Sequence, residues 1–184
     1  YYAIFDADDV SKPTRLEREI AFLGEHESVG VVGSFLEVVD SDGSRVGRRD
    51  YPTDPRRIRR ALPVFDPIGQ PSAMIRRDVV EAVGGYDERW ERSQDYDLWW
   101  RVSKAGYSLA NIDEELVAYR LHDGQGKLTS FHETLRNTIL IKWEHMSWAS
   151  LGRPNVLARL IVELGGFVLP SRFTYWLFEK LVVK

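Results

Sequence analysis

The chain opens on five apolar or aromatic residues, Tyr1-Tyr2-Ala3-Ile4-Phe5, that run directly into Asp6-Ala7-Asp8-Asp9. A short apolar run of this kind predicts a strand buried on both faces, and such strands belong to sheets covered by helices on either side. In open α/β sheets ligands bind beyond the carboxyl ends of the strands. This one feature therefore predicts a fold class, α/β, and the place where chemistry sits. No initiator Met or signal peptide precedes the strand, which predicts that an earlier part of the same domain lies upstream.

Composition narrows the chemistry. The 184 residues are 43% hydrophobic, enough for one buried core. With no cysteine, thiolate nucleophiles, cysteine-ligated metals and redox dithiols are excluded, leaving carboxylates, histidines, hydroxyls or a bound cofactor. The 25 Lys+Arg against 28 Asp+Glu give a net charge of -3, so there is no overall basic field and nucleic acid is not an expected partner.

The pattern further along continues the α/β reading. Pro13 suits the first turn of a helix running to about His26, with Leu16, Ile20 and Leu23 at helical spacing as its sheet-facing side and Asp9 or Ser11 as its cap. Residues 29–39 are rich in β-branched side chains and precede Asp42-Gly43, so a hairpin with a return strand over 45–51 is expected. Asp54 is placed to cap a short helix carrying Ile58 and Leu62 among exposed arginines. A loop over 65–71 leads to a strand over 72–75, then a helix over 77–83 that Gly84-Gly85 ends. Ser93 is the expected cap of a helix running to about Ala105, and two short strands are expected over 107–112 and 116–121. Residues 129–147 read as helix, and 155–184 are strongly apolar.

Three groups of side chains could carry chemistry. Asp6, Asp8 and Asp9 repel one another unless a cation sits among them, and Asp6 and Asp8 are hard oxygen ligands suited to Mg²⁺ or Mn²⁺. Read as structure alone, the same acids form a turn and cap the next helix. Asp95 and Trp99 share one helix face: an acid held ionised by the helix dipole, beside an aromatic wall that can hold a sugar ring, can serve as general base. The alternative is an ordinary first-turn acid over core tryptophans. Arg120 could neutralise a diphosphate, and His122 could complete a metal site or touch a phosphate, although a lone His after a strand is more often structural.

In order along the chain, Phe5-Asp6-Ala7-Asp8-Asp9, Pro13-x-Arg15-Leu16-Glu17, Val29-Gly30-Val31-Val32-Gly33-Ser34, Pro71-Ser72-Ala73-Met74, Gly84-Gly85-Tyr86-Asp87-Glu88, Asp95-Tyr96-Asp97-Leu98-Trp99 and Tyr119-Arg120-x-His122 resemble family 2 glycosyltransferases of the GT-A fold. The resemblance spans residues 1–125. It implies a partial GT-A-like mixed sheet flanked by helices, with residues 126–184 as a helical C-terminal extension. It implies that Asp6 and Asp8 are the DxD acids that hold the donor ribose and a divalent ion bridging the nucleotide diphosphate. It implies that Asp95 is the base that deprotonates an acceptor hydroxyl for inverting displacement at the anomeric carbon. Gly84, Gly85 and Tyr86 then shape the donor-sugar and acceptor pocket with Gln94, Asp97 and Trp99, and Arg120 and His122 contact phosphate or metal. Gln94 stands where the family usually has Glu, which puts the acceptor type in question more than the base.

The resemblance implies a nucleotide-diphosphate sugar donor and a saccharide or lipid-linked acceptor, with work in the cytoplasm or at the cytoplasmic face of the membrane. The family's strand–loop–helix units for the base and ribose would precede the DxD acids and have no match here, so little activity is expected of these residues alone. Two other readings stay open. Asp6-Ala7-Asp8-Asp9-Val10 also fits the D-x-D-x-T/V opening of haloacid-dehalogenase-like phosphatases, with Asp6 as nucleophile and Asp8 as acid/base. A non-catalytic piece acting through its apolar end is the other, since residues 156–183 suit contact with a partner or a membrane surface while holding too many charges to span one.

Overall fold

The structure, a computed structural model, describes residues 1–121 and 131–167. Its strands are β1 (Tyr2–Ala3), β2 (Val10–Ser11), β3 (Val29–Val39), β4 (Arg45–Arg49), β5 (Met74–Ile75) and β6 (Ser108–Arg120). Its helices are α1 (Arg15–Glu25), α2 (Pro55–Ala61), α3 (Arg77–Val83), α4 (Gln94–Lys104), α5 (Phe131–His145), α6 (Trp148–Leu151) and α7 (Pro154–Gly165), with a single 3₁₀ turn at Gln70–Ser72.

One mixed sheet runs in the order β1-β5-β3-β6-β2. Long β3 is its axis: β6 lies parallel along one edge, while β5 and β4 share the other, both antiparallel. Side chains alternate across the pleat. Val31, Ile75 and Leu109 enter one core with Ile58, Leu62, Val79, Leu98 and Trp99, under α2, α3 and α4. Their neighbours Val32, Met74 and Ala110 enter a second core with Leu23 of α1. Burial on both faces is why β3 reads as an unbroken apolar run, and each such side chain contributes roughly 1.5–3 kcal/mol.

Several expectations hold. The β3–β4 hairpin forms with Gly43 at φ +85°, and Asp54 caps α2 by accepting from the Arg57 amide at 2.9 Å. Gly84 and Gly85 end α3 at φ +80° and +71°, backbone that glycine adopts without strain.

Others are corrected. Among the described residues the opening strand is a two-residue edge strand paired with β5 alone, and Tyr1, Tyr2 and Phe5 are exposed. An apolar run is equally compatible with a central and an edge position, because periodicity does not report the partner. On α1 the sheet-facing side is Arg15, Glu19 and Leu23, while Leu16 and Ile20 are about half exposed. A buried ion pair, Arg15 Nε to Glu19 Oε1 at 2.9 Å, replaces the apolar stripe. Neither Asp9 nor Ser11 caps that helix: Thr14 holds the position without a side-chain bond, and the Asp9 carboxylate takes the Arg120 amide at 2.8 Å instead. The two strands expected over 107–121 are one. β6 continues through a bulge that places Asp113 and Glu114 between the partners of Ser34 and Phe35, so charged residues there interrupt register without ending the strand.

Helix α5 packs on the core under α2, α3 and α4. Its Ile141 is fully buried against that core, and Lys142 donates to the Val64 carbonyl at 2.9 Å and to Glu163 of α7 at 2.6 Å.

Candidate functional site

Asp6 follows a well-anchored strand end. The Ile4 amide donates to the Ala73 carbonyl at 2.8 Å, and buried Arg15 donates to the Ile4 carbonyl at 2.7 Å, so the chain direction is set two residues before the acid. Asp6 is half-buried and Asp8 exposed. Burial, and then the Asp8 charge, raise the Asp6 carboxyl above the ordinary range. Burial likewise raises Asp9, against the lowering effect of its bond from the Arg120 amide.

Arg120 closes this loop from the other side. Its Nε donates to the Asp8 carbonyl at 3.0 Å, and its Nη1 to the Asp40 and Ser41 carbonyls at 3.1 and 2.8 Å. The guanidinium thus ties the Asp6–Asp9 loop to the β3–β4 turn. His122 lies outside the described residues.

The second acid arrives from α4. Asp95 is half-buried in the first turn, where the Tyr96 amide and its own amide favour its ionised form, yet burial outweighs them and raises it. Asp66, from the loop before the 3₁₀ turn, lies within hydrogen-bonding contact of Asp95 and is raised well above the ordinary range, first by burial and then by the Asp95 charge. That loop is rigid. Asp66 Oδ1 accepts the Ile68 amide at 3.2 Å, Ile68 is buried in the core, and Asn111 of β6 donates to the Pro67 carbonyl at 3.0 Å.

Tyr86 lies near both acids. The left-handed Gly84-Gly85 pair reverses the chain after α3, and the Tyr86 hydroxyl bonds Gln70 and feels the charges of both Asp95 and Asp6; burial is the first cause of its raised value. Folding thus gathers Asp6, Asp66, Tyr86, Gln70 and Asp95 from four separate segments. Gln94 is half-buried beside Asp95 in the same turn.

Asp97 and Trp99 are placed differently. Asp97 is fully buried and bonded to Arg101 Nε and His145 Nε2, both at 2.7 Å, and these partners lower its carboxyl despite burial. Trp99 is fully buried in the core. Ser93, just before α4, sits at φ +60°, the one non-glycine residue with positive φ among those described. Two groups of α5 brace it: Asn137 donates to the Arg92 carbonyl at 3.2 Å, and Thr138 bonds the Ser93 hydroxyl at 3.3 Å.

Sequence reading missed the part Asp66 plays. The available signal was an acid directly before a proline in the 65–71 loop. Among the described residues, no three His, Asp or Glu side chains converge to hold an ion by themselves, and no helix is long and apolar enough to cross a membrane.

Residues 1–84 match the family model described as "Glycosyl transferase family 2". The chain is 34% identical over 143 residues to the putative glycosyltransferase EpsE of Bacillus subtilis, covering 77% of this chain and 50% of that protein. It is 30% identical over 157 residues to an uncharacterized glycosyltransferase of Haemophilus influenzae, covering 80% and 48%. It is also 30% identical over 123 residues to the O-antigen biosynthesis glycosyltransferase WbnJ of Escherichia coli, covering 66% and 47%. The chain spans about half the length of these curated relatives.

Proposed function

We propose, from the glycosyl transferase family 2 match over residues 1–84, that this chain is part of an inverting glycosyltransferase that moves a sugar from a nucleotide-diphosphate donor to an acceptor hydroxyl. The observation that carries this reading is the convergence of Asp6, Tyr86 and Asp95, close enough that the Asp6 charge acts on both others. Family match and convergence together favour the transferase over the phosphatase, a reading that leaves the motifs from Gly84 onward, Tyr86 and Asp95 among them, unexplained.

Asp6 and Asp8 fit a divalent ion. They are hard oxygen donors whose mutual repulsion a cation would relieve, and Mg²⁺ takes one or two carboxylates while water and phosphate fill its remaining positions. Bound there, Mg²⁺ or Mn²⁺ would supply Lewis-acid stabilisation of the leaving diphosphate. Arg120 holds the loop that presents these acids. Tyr86 and the Gly84-Gly85 turn form the wall facing both acids, where donor sugar and acceptor meet. Asp95 accepts the acceptor's proton as the hydroxyl attacks, an effect worth about 10²–10⁴ in rate. His122 is proposed as a further phosphate or metal contact.

One relative's name refers to O-antigen biosynthesis, and on that likeness we assign this chain a saccharide or lipid-linked acceptor in cell-surface polysaccharide synthesis, at the cytoplasmic face of the membrane. The outward side of α7 supports a peripheral membrane contact, since Leu157, Ile161 and Leu164 form an exposed apolar stripe at helical spacing.

The test is release of nucleoside diphosphate from a panel of nucleotide sugars, with Mn²⁺ and candidate acceptors, by the longest reading frame that contains this chain. Release should require the acceptor and collapse in Asp95→Asn. Equal rates with and without Asp95 would overturn the assignment.

A further inference from the structure

The start of α4 lacks the cap its sequence predicts. Ser93 stands at the N-cap position, yet its hydroxyl makes no capping bond and its backbone is left-handed, at φ +60°. A serine there ordinarily accepts from the second or third helical amide, and a left-handed residue other than glycine persists only where surrounding contacts force it. Those contacts come from α5, which lies outside residues 1–84 of the family match. The Ser93 hydroxyl bonds Thr138 at 3.3 Å, and buried Asn137 donates from Nδ2 to the Arg92 carbonyl at 3.2 Å. One turn further on, His145 Nε2 bonds the Asp97 carboxylate at 2.7 Å, with its ring stacked on Trp100 at 5.9 Å. Glu144 reaches Arg89 at 3.1 Å in the segment leading from Tyr86.

Helix α5 thus grips the chain on both sides of Asp95, before it at Arg92 and Ser93 and after it at Asp97. Among the described residues none of its side chains bonds Asp95 itself. The grips are unequal. Glu144 and Arg89 are exposed, and such a pair fixes little. Asn137 is buried, and the carbonyl it satisfies belongs to the residue before the left-handed turn. Without that bond the turn is free to relax toward an ordinary cap, which rotates the first residues of α4, Asp95 among them, about the His145–Asp97 anchor. We propose that Asn137 is a positioning residue: by holding the Arg92 carbonyl it keeps the turn at Ser93 left-handed and so fixes the direction in which Asp95 meets the acceptor hydroxyl. It acts through the backbone and makes α5 part of the catalytic unit rather than an appended helix. This deepens the assignment of Asp95 as base and rests on it, but the hold on the turn is measurable without any substrate.

The experiment uses the longest reading frame that contains this chain, as the native protein, Asn137→Leu and Val156→Ala. Leucine keeps roughly the volume of asparagine and removes the donor. Val156, buried on α7, lowers stability without removing any bond to the turn. In Asn137→Leu, amide hydrogen exchange over residues 92–97 should lose about tenfold in protection. For the nucleotide sugar that gives acceptor-dependent release, kcat should fall about 10–100-fold with KM within about twofold. Val156→Ala should leave both readings at native values. If Asn137→Leu does not fold, Asn137→Asp has the native shape and gives the same reading, since an ionised carboxylate cannot donate to a carbonyl. Unchanged protection over 92–97 in Asn137→Leu, full kcat despite lost protection, or an equal loss of kcat in Val156→Ala overturns the proposal. Full transfer in Asp95→Asn would instead overturn the base assignment, while lost protection in Asn137→Leu would still show that Asn137 holds the turn.

Discussion

Asp95 and Asp97 stand two residues apart on α4 and belong to different electrostatic regions. Asp97 faces the helical side, where charges are paired: Arg101 and His145 bond it, Lys104 bonds His145 at 3.0 Å, and Glu163 takes both Lys142 and Arg159. Asp95 faces Asp6, whose charge raises it, and Asp66, and among the described residues no cationic side chain bonds it. Opposite shifts follow, Asp97 lowered by its partners and Asp95 raised by burial. The contrast separates architecture from chemistry, since paired buried charges hold helices together whereas unpaired ones are arrangements a fold keeps only for a ligand or a proton.

The largest test of that contrast is Asp95→Asn. Transfer should fall by about 10²–10⁴ while thermal stability stays level or rises, because one of the clustered acids has lost its charge. A stability loss as large as that of an Asp97 variant would erase the distinction between the two acids.

Next comes the paired region. Lys142→Met leaves Glu163 buried with only Arg159, and should cost about 3–5 kcal/mol in urea unfolding. A cost below about 1 kcal/mol would show the helical side to be less tightly bound than its pairing implies.

Glu19 lies between the two extremes, since it is buried and paired yet raised to about 7, with burial outweighing Arg15. A carboxyl raised on folding binds its proton more tightly in the native state. Its contribution is complete below about pH 4.5 and is lost as pH rises through 7, amounting to about 3 kcal/mol. Glu19→Gln should flatten that slope; an unchanged pH profile would mean that Arg15 compensates fully.

The smallest effect is at Ser93. Ser93→Gly relieves a left-handed backbone and should stabilise by about 0.5–1 kcal/mol, and in the presence of the Asn137 brace it should leave transfer largely unchanged. A falling rate with rising stability would show that the strained turn aims Asp95.

Much of the fold is legible in residue patterns because the pattern and the cause are local. The cap at Asp54, the hairpin at Asp42-Gly43 and the stop at Gly84-Gly85 each depend on neighbours within a few positions. The α1 stripe misled because amphipathicity assumes that apolar residues face inward, and here Arg15 and Glu19 satisfy each other and take the inner face instead. Splitting β6 in two misled because charges at Asp113 and Glu114 look like a break when a bulge can carry them out to solvent. The site was legible only in part: Asp6, Tyr86 and Asp95 each sit in a recognisable local motif, but no local motif marks Asp66.

What the sequence determined by itself is therefore the class and the cast: an α/β chain, carboxylate chemistry without thiols, and acids at a strand end and a helix start. Those follow from propensity and periodicity, which are set by neighbouring residues. Which acids are free and which are tied, and that Asp66 meets Asp95 while Asp97 meets His145, was decided only by tertiary structure. Charges act through space over a few ångströms, and only the packed sheet and helices bring positions distant in sequence within that range.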